Sequence, residues 1–238
     1  MTILSIATKV APAIGIEVPT AFIGQTSQEL IELSAVATEA MDRILAAHFW
    51  ERLMAIETIT GDASTTAWPL PSDYNRMDEG AQLWSSALQT PLEHIPNRNI
   101  WLGHEVQDFD YVINAWSKFG NAINIKPALA SAVTVKYWYQ KNKPILDTDG
   151  TTYKTDFTND ADTIALTSNN KDDERLMKLA MIWVWKEEKG QAYQEKMADF
   201  NDLLSKMILK DGGASTLRIG SRRVPQGVRV AYPQAISG

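Results

Sequence analysis

Three histidines, His48, His94 and His104, are the only imidazoles in the chain, and their spacing fits no metal-ligand pattern of the HExxH kind. No cysteine is present, which removes thiolate metal sites, cysteine nucleophiles and disulfides together. Asp147-Thr148-Asp149-Gly150 has the oxygen-rich start of a calcium loop. Its glycine comes two positions too early for that loop, however, and the twelfth position is Thr158 where a bidentate Glu is needed, so the segment is read as a turn. Glycine-rich phosphate cradles and a GxSxG nucleophile elbow are absent from the sequence. Carboxylates pair at Asp160 with Asp162 and at Glu187 with Glu188; the second pair lies between Lys186 and Lys189 and reads as a solvated helix face, not an acid–base couple. Eight tryptophans could stack on sugars through their flat apolar faces. Most of them fall in core-patterned segments, so packing or subunit contact is their expected use. The chemistry-bearing residues therefore predict no enzyme, no metal site and no cofactor.

The surrounding elements belong to a globular body. The 238 residues are 45% apolar and 22% charged, enough for one sizeable core and too apolar for a disordered chain. With 23 Lys and Arg against 29 Asp and Glu, the net charge is −6, a sign that argues against general gripping of nucleic acid. The apolar start, Met1 to Ile16, carries Lys9 in its middle and is interrupted by Pro12, so a short buried helix is expected there and not a secretory leader. No uncharged apolar run approaches the ~20 residues of a membrane span.

From Thr26, with Glu29 at capping-box spacing, a helix is predicted to run to about Phe49-Trp50. Its apolar stripe is Leu30, Leu33, Ala37, Met41 or Ala40, Ile44 and His48. Met54 to Thr60 alternates like a strand. Phe119 to Pro127 reads as a hairpin turning at Gly120-Asn121, and Ala132 to Tyr139 as a strand with Val133, Val135, Tyr137 and Tyr139 on one face. Gln107 to Ala115 is assigned to a short helix. After a loop from Asp147 to Lys171, one long helix is predicted from about Asp173 to Leu209, because Leu176, Leu179, Trp183, Lys186, Gly190, Tyr193, Met197, Phe200, Leu204 and Met207 follow one another in steps of three and four. At ~1.5 Å per residue such a helix either protrudes or bends at Lys189-Gly190. Asp211-Gly212-Gly213 ends it.

The last 27 residues, Gly212 to Gly238, contain Arg218, Arg222, Arg223 and Arg229 and no acid or lysine, so this tail is +4 and the rest of the chain −10. Val224, Val228 and Val230 alternate around Pro225 and Gly227, the pattern of an extended arm that pairs when it meets a partner edge.

The order of several segments resembles the head-to-tail adaptor (connector) proteins of tailed bacteriophages and gene transfer agents. The segments are Leu70-Pro-Ser-Asp-Tyr-Asn-Arg76, Ile123-Asn-Ile-Lys-Pro127, Val135-Lys-Tyr-Trp-Tyr139, Phe157-Thr-Asn-Asp-Ala-Asp-Thr163, Leu179-Ala-Met-Ile-Trp-Val-Trp-Lys186 with Lys189-Gly190, and Asp211-Gly-Gly213. The likeness spans most of residues 3–220, and the sequence departs from it by continuing well beyond Ile219. It implies a structural virion protein at the head–tail interface, assembled in the host cytoplasm. Its expected partners are copies of itself in a ring, a portal protein, tail proteins, and genomic DNA that passes through without sequence-specific binding; no membrane is involved. The rival functions are a tail-tube or tail-completion component and a carbohydrate-binding virion module that uses exposed Trp68 or Trp101.

The expected fold class is α+β. N- and C-terminal helices form a helical bundle (residues 1–50 and 147–211), a small antiparallel β-rich portion is inserted at 51–146, and an extended basic arm covers 212–238. Leu176, Leu179, Trp183, Tyr193, Met197, Phe200 and Leu204 are assigned to a ring interface. Leu217, Arg218, Ile219, Arg222, Arg223, Val224, Val228, Arg229, Val230 and Tyr232 are assigned to portal binding.

Overall fold

In a computed structural model, the residues described are 2–77, 80–106 and 114–211, with the side chain of His104 left out. Helices are α1 (Ile3–Ile14), α2 (Gln28–Ala47), α3 (Arg98–Val106), α4 (Asn170–Glu188) and α5 (Gln194–Asp211). The longer strands are β1 (Met54–Thr60), β6 (Ala115–Phe119), β7 (Ala122–Lys126) and β8 (Thr134–Lys141). The short ones are β2 (Ala67–Pro69), β3 (Tyr74–Arg76), β4 (Trp84–Ser85), β5 (Glu93–His94), β9 (Ile145–Leu146), β10 (Tyr153–Lys154) and β11 (Thr163–Ile164). Two compact units result, one from residues 1–54 with 140–211 and the other from 55–139.

In the first unit α4 is the central element and packs against α1, α2 and α5. Eight of the ten residues from Leu176 to Trp185 are buried, so α4 is apolar around most of its circumference, as a helix enclosed by others must be. Ile3, Ile6, Ala7 and Val10 of α1, and Leu33, Val36, Ala37, Ala40 and Ile44 of α2, bring their stripes to the same core. The first turn of α1 is capped by Thr2, whose Oγ1 accepts from the Ser5 amide at 3.3 Å. Ser27, not Thr26, is the cap residue of α2, and its side chain makes no capping bond.

The architecture differs from the one the sequence predicts. The chain does not form a helical bundle carrying one small antiparallel sheet; its described residues form an α+β fold of five helices and three sheets. One sheet, ordered β10-β9-β11, belongs to the helical unit; β10 and β11 arise from the stretch expected to be loop, and β9 comes from the end of the span expected to be the β-rich portion. Another contains the parallel pair β5 and β6, so the β-rich portion is not purely antiparallel. The single long helix is also replaced. It ends at Glu188, Gly190 takes the left-handed φ of 65° that favours glycine, and α5 returns alongside α4. Lys210 near the end of α5 meets Asp172 in the first turn of α4 at 3.1 Å, which fixes the pair as antiparallel.

In the second unit, β1, β8 and β3 lie in that order in one sheet, with β4 also paired to β8. Sheet β2-β7-β6-β5 is the other. Val135, Tyr137 and Tyr139 of β8 pack against Ile123 and Ile125 of β7 and Trp116 of β6. The hairpin register Phe119↔Ala122 confirms the turn at Gly120-Asn121. Ala115, the end of the predicted helix from Gln107, instead opens β6; residues 107–113 lie outside those described. Ala115 joins Ile95 and Trp101 of α3 in a separate small core.

Candidate functional site

The portal-binding arm assigned from the sequence, Leu217 to Tyr232, lies outside the described residues. Its root, however, is defined: α5 ends at Asp211, in the wall of a polar cleft of about 780 Å³ in the helical unit. The cleft is lined from three directions, by Glu51 and Arg52 of a short 3-10 turn, by Asn169 and Asp172 at the start of α4, and by Lys210 and Asp211 at the end of α5.

Each wall is held by hydrogen bonds that the local sequence dictates. Asn169 caps α4, its side chain accepting from the Lys171 amide at 3.2 Å, and its Nδ2 donates to Asp172 Oδ2 at 2.9 Å. Arg52 donates from Nη1 to the Thr167 carbonyl at 2.9 Å and from Nε to the Tyr153 hydroxyl at 3.3 Å. Asp211 Oδ2 accepts from the Glu51 amide at 2.9 Å and lies 3.3 Å from His48 Nε2. A carboxylate of α5 thus accepts from the first amide of the 3-10 turn that follows α2, tying the end of α5 to the body.

Beneath the cleft Asp173 is fully buried. It accepts from the amides of Leu166 and Thr167, each at 3.1 Å, and from the Thr167 hydroxyl at 2.7 Å. Burial raises its pKa above the ordinary carboxylate value, against those three hydrogen bonds and the charge of Arg52, which act to lower it. In the window between the ordinary and the raised value the folded chain keeps a proton that the unfolded chain has released, so stability falls as pH rises through it. In Asp173→Asn, which imitates the protonated acid, this fall is expected to disappear. Urea midpoints of both proteins from about pH 3.5 to 7 check it: the curves are expected to lie closest at the acid end and diverge upward, with the variant relatively more stable.

The cleft offers amide, hydroxyl, guanidinium, ammonium and carboxylate groups. Among the described residues no group of three His, Cys, Asp or Glu side chains could hold a metal ion. Asp160 and Asp162 are structural. Asp160 Oδ1 accepts from the Phe22 and Ile23 amides at 3.0 and 2.6 Å, while Asp162 accepts from Thr158, Asn159 and Lys154. Glu187 pairs with Arg43 at 2.9 Å.

The residues assigned to a ring interface lie on α4, on α5 and, for Tyr193, just before α5. Leu176, Trp183 and Phe200 are buried in the chain's own core, with Leu179, Tyr193 and Leu204 packed against it; only Met197 is substantially exposed, at 38%. The stripe is consumed by folding α5 onto α4. The tryptophans also redistribute: Trp101 is 5% exposed and Trp68 packs on the core of the β-rich unit, whereas Trp138 at 53% and Trp84 at 37% face outward. Alternation along β8 could have singled out Trp138. Asn169, three residues ahead of Asp172, carried a capping signal the sequence reading passed over, while nothing local marked Arg52.

No protein-family model matches this chain, and no curated protein matches it. No helix among the described residues is long and apolar enough to cross a membrane.

Proposed function

We propose that the protein is a head-to-tail adaptor, a structural virion protein that forms a ring, dodecameric by the resemblance, beneath the portal of a tailed bacteriophage or gene transfer agent. It extends the DNA channel and presents a platform to tail proteins. The observation that carries the reading is the division of charge along the chain: −10 over residues 1–211 and +4 over 212–238. A ring of anionic bodies lines its lumen with charge that repels phosphates, so DNA slides without sticking. A cationic arm with alternating β-branched residues is suited to adding a strand to a partner's sheet edge. Further support comes from the rooting of the arm: Asp211, the last residue before it, is bonded to the body, so strain on the arm is passed to a packed helix pair. With the α4–α5 stripe buried, contact between neighbouring copies uses other surface.

Removing residues 212–238 tests the reading. The truncated chain is expected to keep the circular dichroism and melting temperature of the body, and to lose co-sedimentation with purified portal rings from the same particle. Undiminished portal binding by the truncated chain overturns the portal-docking role of the arm, and absence of portal binding by the full chain overturns the adaptor reading itself.

A further inference from the structure

The outward face of the sheet that holds β1, β8 and β4 gathers three large apolar side chains. Gly61 donates to the Val133 carbonyl at 2.8 Å and accepts from the Ala132 amide at 3.1 Å. Gly61 directly follows β1 and Val133 directly precedes β8, so these neighbouring strands run antiparallel. Counting five residues outward from Gly61 and from Val133 places Ile56 across from Trp138, and Thr58 across from Lys136. The alternation agrees, since Ile56, Thr58 and Thr60 of β1 and Lys136 and Trp138 of β8 are all exposed. β4 pairs on the other edge of β8, where Trp84 is the register partner of Lys136 and so lies one diagonal step from Trp138 on the same face. Ile56 is 52% exposed, close to the value of Trp138.

Single exposed apolar residues are ordinary, but a contiguous group of two indoles and an isoleucine marks an interaction surface. Three properties of this chain select its occupant. The first is pattern: in residues 228–232 Val228, Val230 and Tyr232 alternate with Arg229 and Ala231, so when extended the segment offers its apolar side chains from one side. It spans ~13 Å, and the step from β1 across β8 to β4 is ~10 Å, so the two apolar rows are commensurate. The second is charge, because residues 55–139 hold nine acids and five bases, a net −4, against the +4 of residues 212–238. Lys136, the cation within the face, suits the ring of Tyr232. The third is reach. Asp211, directly before the arm, is bonded at 2.9 Å to the Glu51 amide, and Glu51 precedes Ile56 by five residues, at most ~18 Å of chain. The sixteen residues 212–227 can cover up to ~50 Å, well beyond what is needed.

We infer that this face is the docking site of the chain's own C-terminal segment, residues 228–232, with Val228, Val230 and Tyr232 laid against Ile56, Trp138 and Trp84. Docking is within one chain because a covalent tether of this length holds the segment at an effective concentration on the order of 1 mM, above that of the arms of other copies in dilute solution. A protein that takes the arm must displace it from this face, so the arm's capture by a partner uncovers both indoles. The inference concerns the isolated chain and stands or falls apart from the adaptor reading.

The test uses the full-length protein. Because the chain has no cysteine, Gln234→Cys supplies one thiol for a nitroxide label just beyond the docking segment. The indole N–H resonances of Trp84 and Trp138, assigned by their loss in Trp84→Phe and Trp138→Phe, are expected to be broadened away and to return when ascorbate reduces the nitroxide. Combining Val228→Ser, Val230→Ser and Tyr232→Ser in the labelled chain leaves the body and the arm's charge untouched, and is expected to restore both resonances. Undiminished resonances in the labelled parent, or the same loss in the serine variant, overturns the docking site. Broadening of an isotope-labelled chain without nitroxide by an added spin-labelled copy shows that the arm comes from a second molecule, and overturns docking within one chain.

Discussion

Alanine at Asp162 is expected to lower the unfolding free energy of the helical unit by about 3–5 kcal/mol, the cost of breaking a buried ion pair by removing one partner. Asp162 is 0% exposed, and its carboxylate accepts from the amides of Thr158 and Asn159 at 2.8 and 2.9 Å and from Lys154 Nζ at 2.8 Å. The substitution strands two backbone donors and removes the better-buried of two acids on Lys154, which keeps Asp147 at 3.2 Å. The damage spreads because the same turn seats the N-terminal helix: the carbonyl of Asp162 accepts from the Ile3 amide at 2.8 Å, and that of Asp160 from Leu4 at 3.3 Å. Asp162→Asn keeps one acceptor oxygen and is expected to lose less. Urea unfolding measures the size of the effect, and hydrogen exchange its location, with the amides of Ile3 and Leu4 losing protection first. A loss below about 1 kcal/mol in the alanine variant would mean the turn holds itself without the carboxylate.

That turn illustrates where sequence reading runs out. Strands β9, β10 and β11 are two residues each, too short to show any period, and what builds their sheet is the meeting of Ile145 with Lys154 on one side and Ile164 on the other. By contrast α2, β1, the β6–β7 hairpin and β8 were legible because each runs long enough to repeat its apolar spacing, as in Val135, Tyr137 and Tyr139. The α4–α5 break at Lys189-Gly190 was legible only as the alternative to a protruding helix, for the opposite reason. Trp183 and Phe200 lie on separate helices with rings 5.9 Å apart, yet the three- and four-residue steps continue through the turn between them, since both helices direct their stripes at one core. Lys186 and Gly190, the two non-apolar positions in that stripe, were the sign of it. The start of α3 had a local signal that was not used: Asn97 Oδ1 accepts from the Asn99 amide at 2.9 Å, just after Pro96. The hydrogen bond from Lys118 Nζ to the Tyr74 hydroxyl could not be read at all, because the two residues are 44 apart and meet only through the two sheets.

Replacing Gly61 by alanine is expected to destabilise the β-rich unit by about 3 kcal/mol or more, through backbone collision and not through any lost contact. A Cβ at this position would sit 2.4 Å from the Ala130 carbonyl oxygen, 2.6 Å from Leu129 Cβ and 2.7 Å from the Leu129 carbonyl oxygen. None of these atoms is the free end of a flexible side chain, so the main chain itself must part. It is held together at that point from both sides: Gly61 donates to Val133 O at 2.8 Å and accepts from Ala132 N at 3.1 Å, and Ala63 donates to Leu129 O at 2.8 Å. Asp62 stiffens the approach further. Its carboxylate accepts from the amides of Ser64 and Thr65 and from the Thr65 hydroxyl, which together hold its pKa well below the ordinary range. Relief by moving the 129–133 segment would withdraw Leu129 from the core it shares with Val135 and Tyr137, so collision is exchanged for a cavity and neither course is cheap. Gly103, in α3, is the matched control because nothing among the described residues lies within 4 Å of where its Cβ would be. Alanine there is expected to raise stability by roughly 0.5–1 kcal/mol through helix propensity. Thermal unfolding of the two single variants, moving in opposite directions for the same chemical change, separates steric approach from glycine entropy; a Gly61→Ala protein as stable as the parent would mean that the two segments are not in contact in solution.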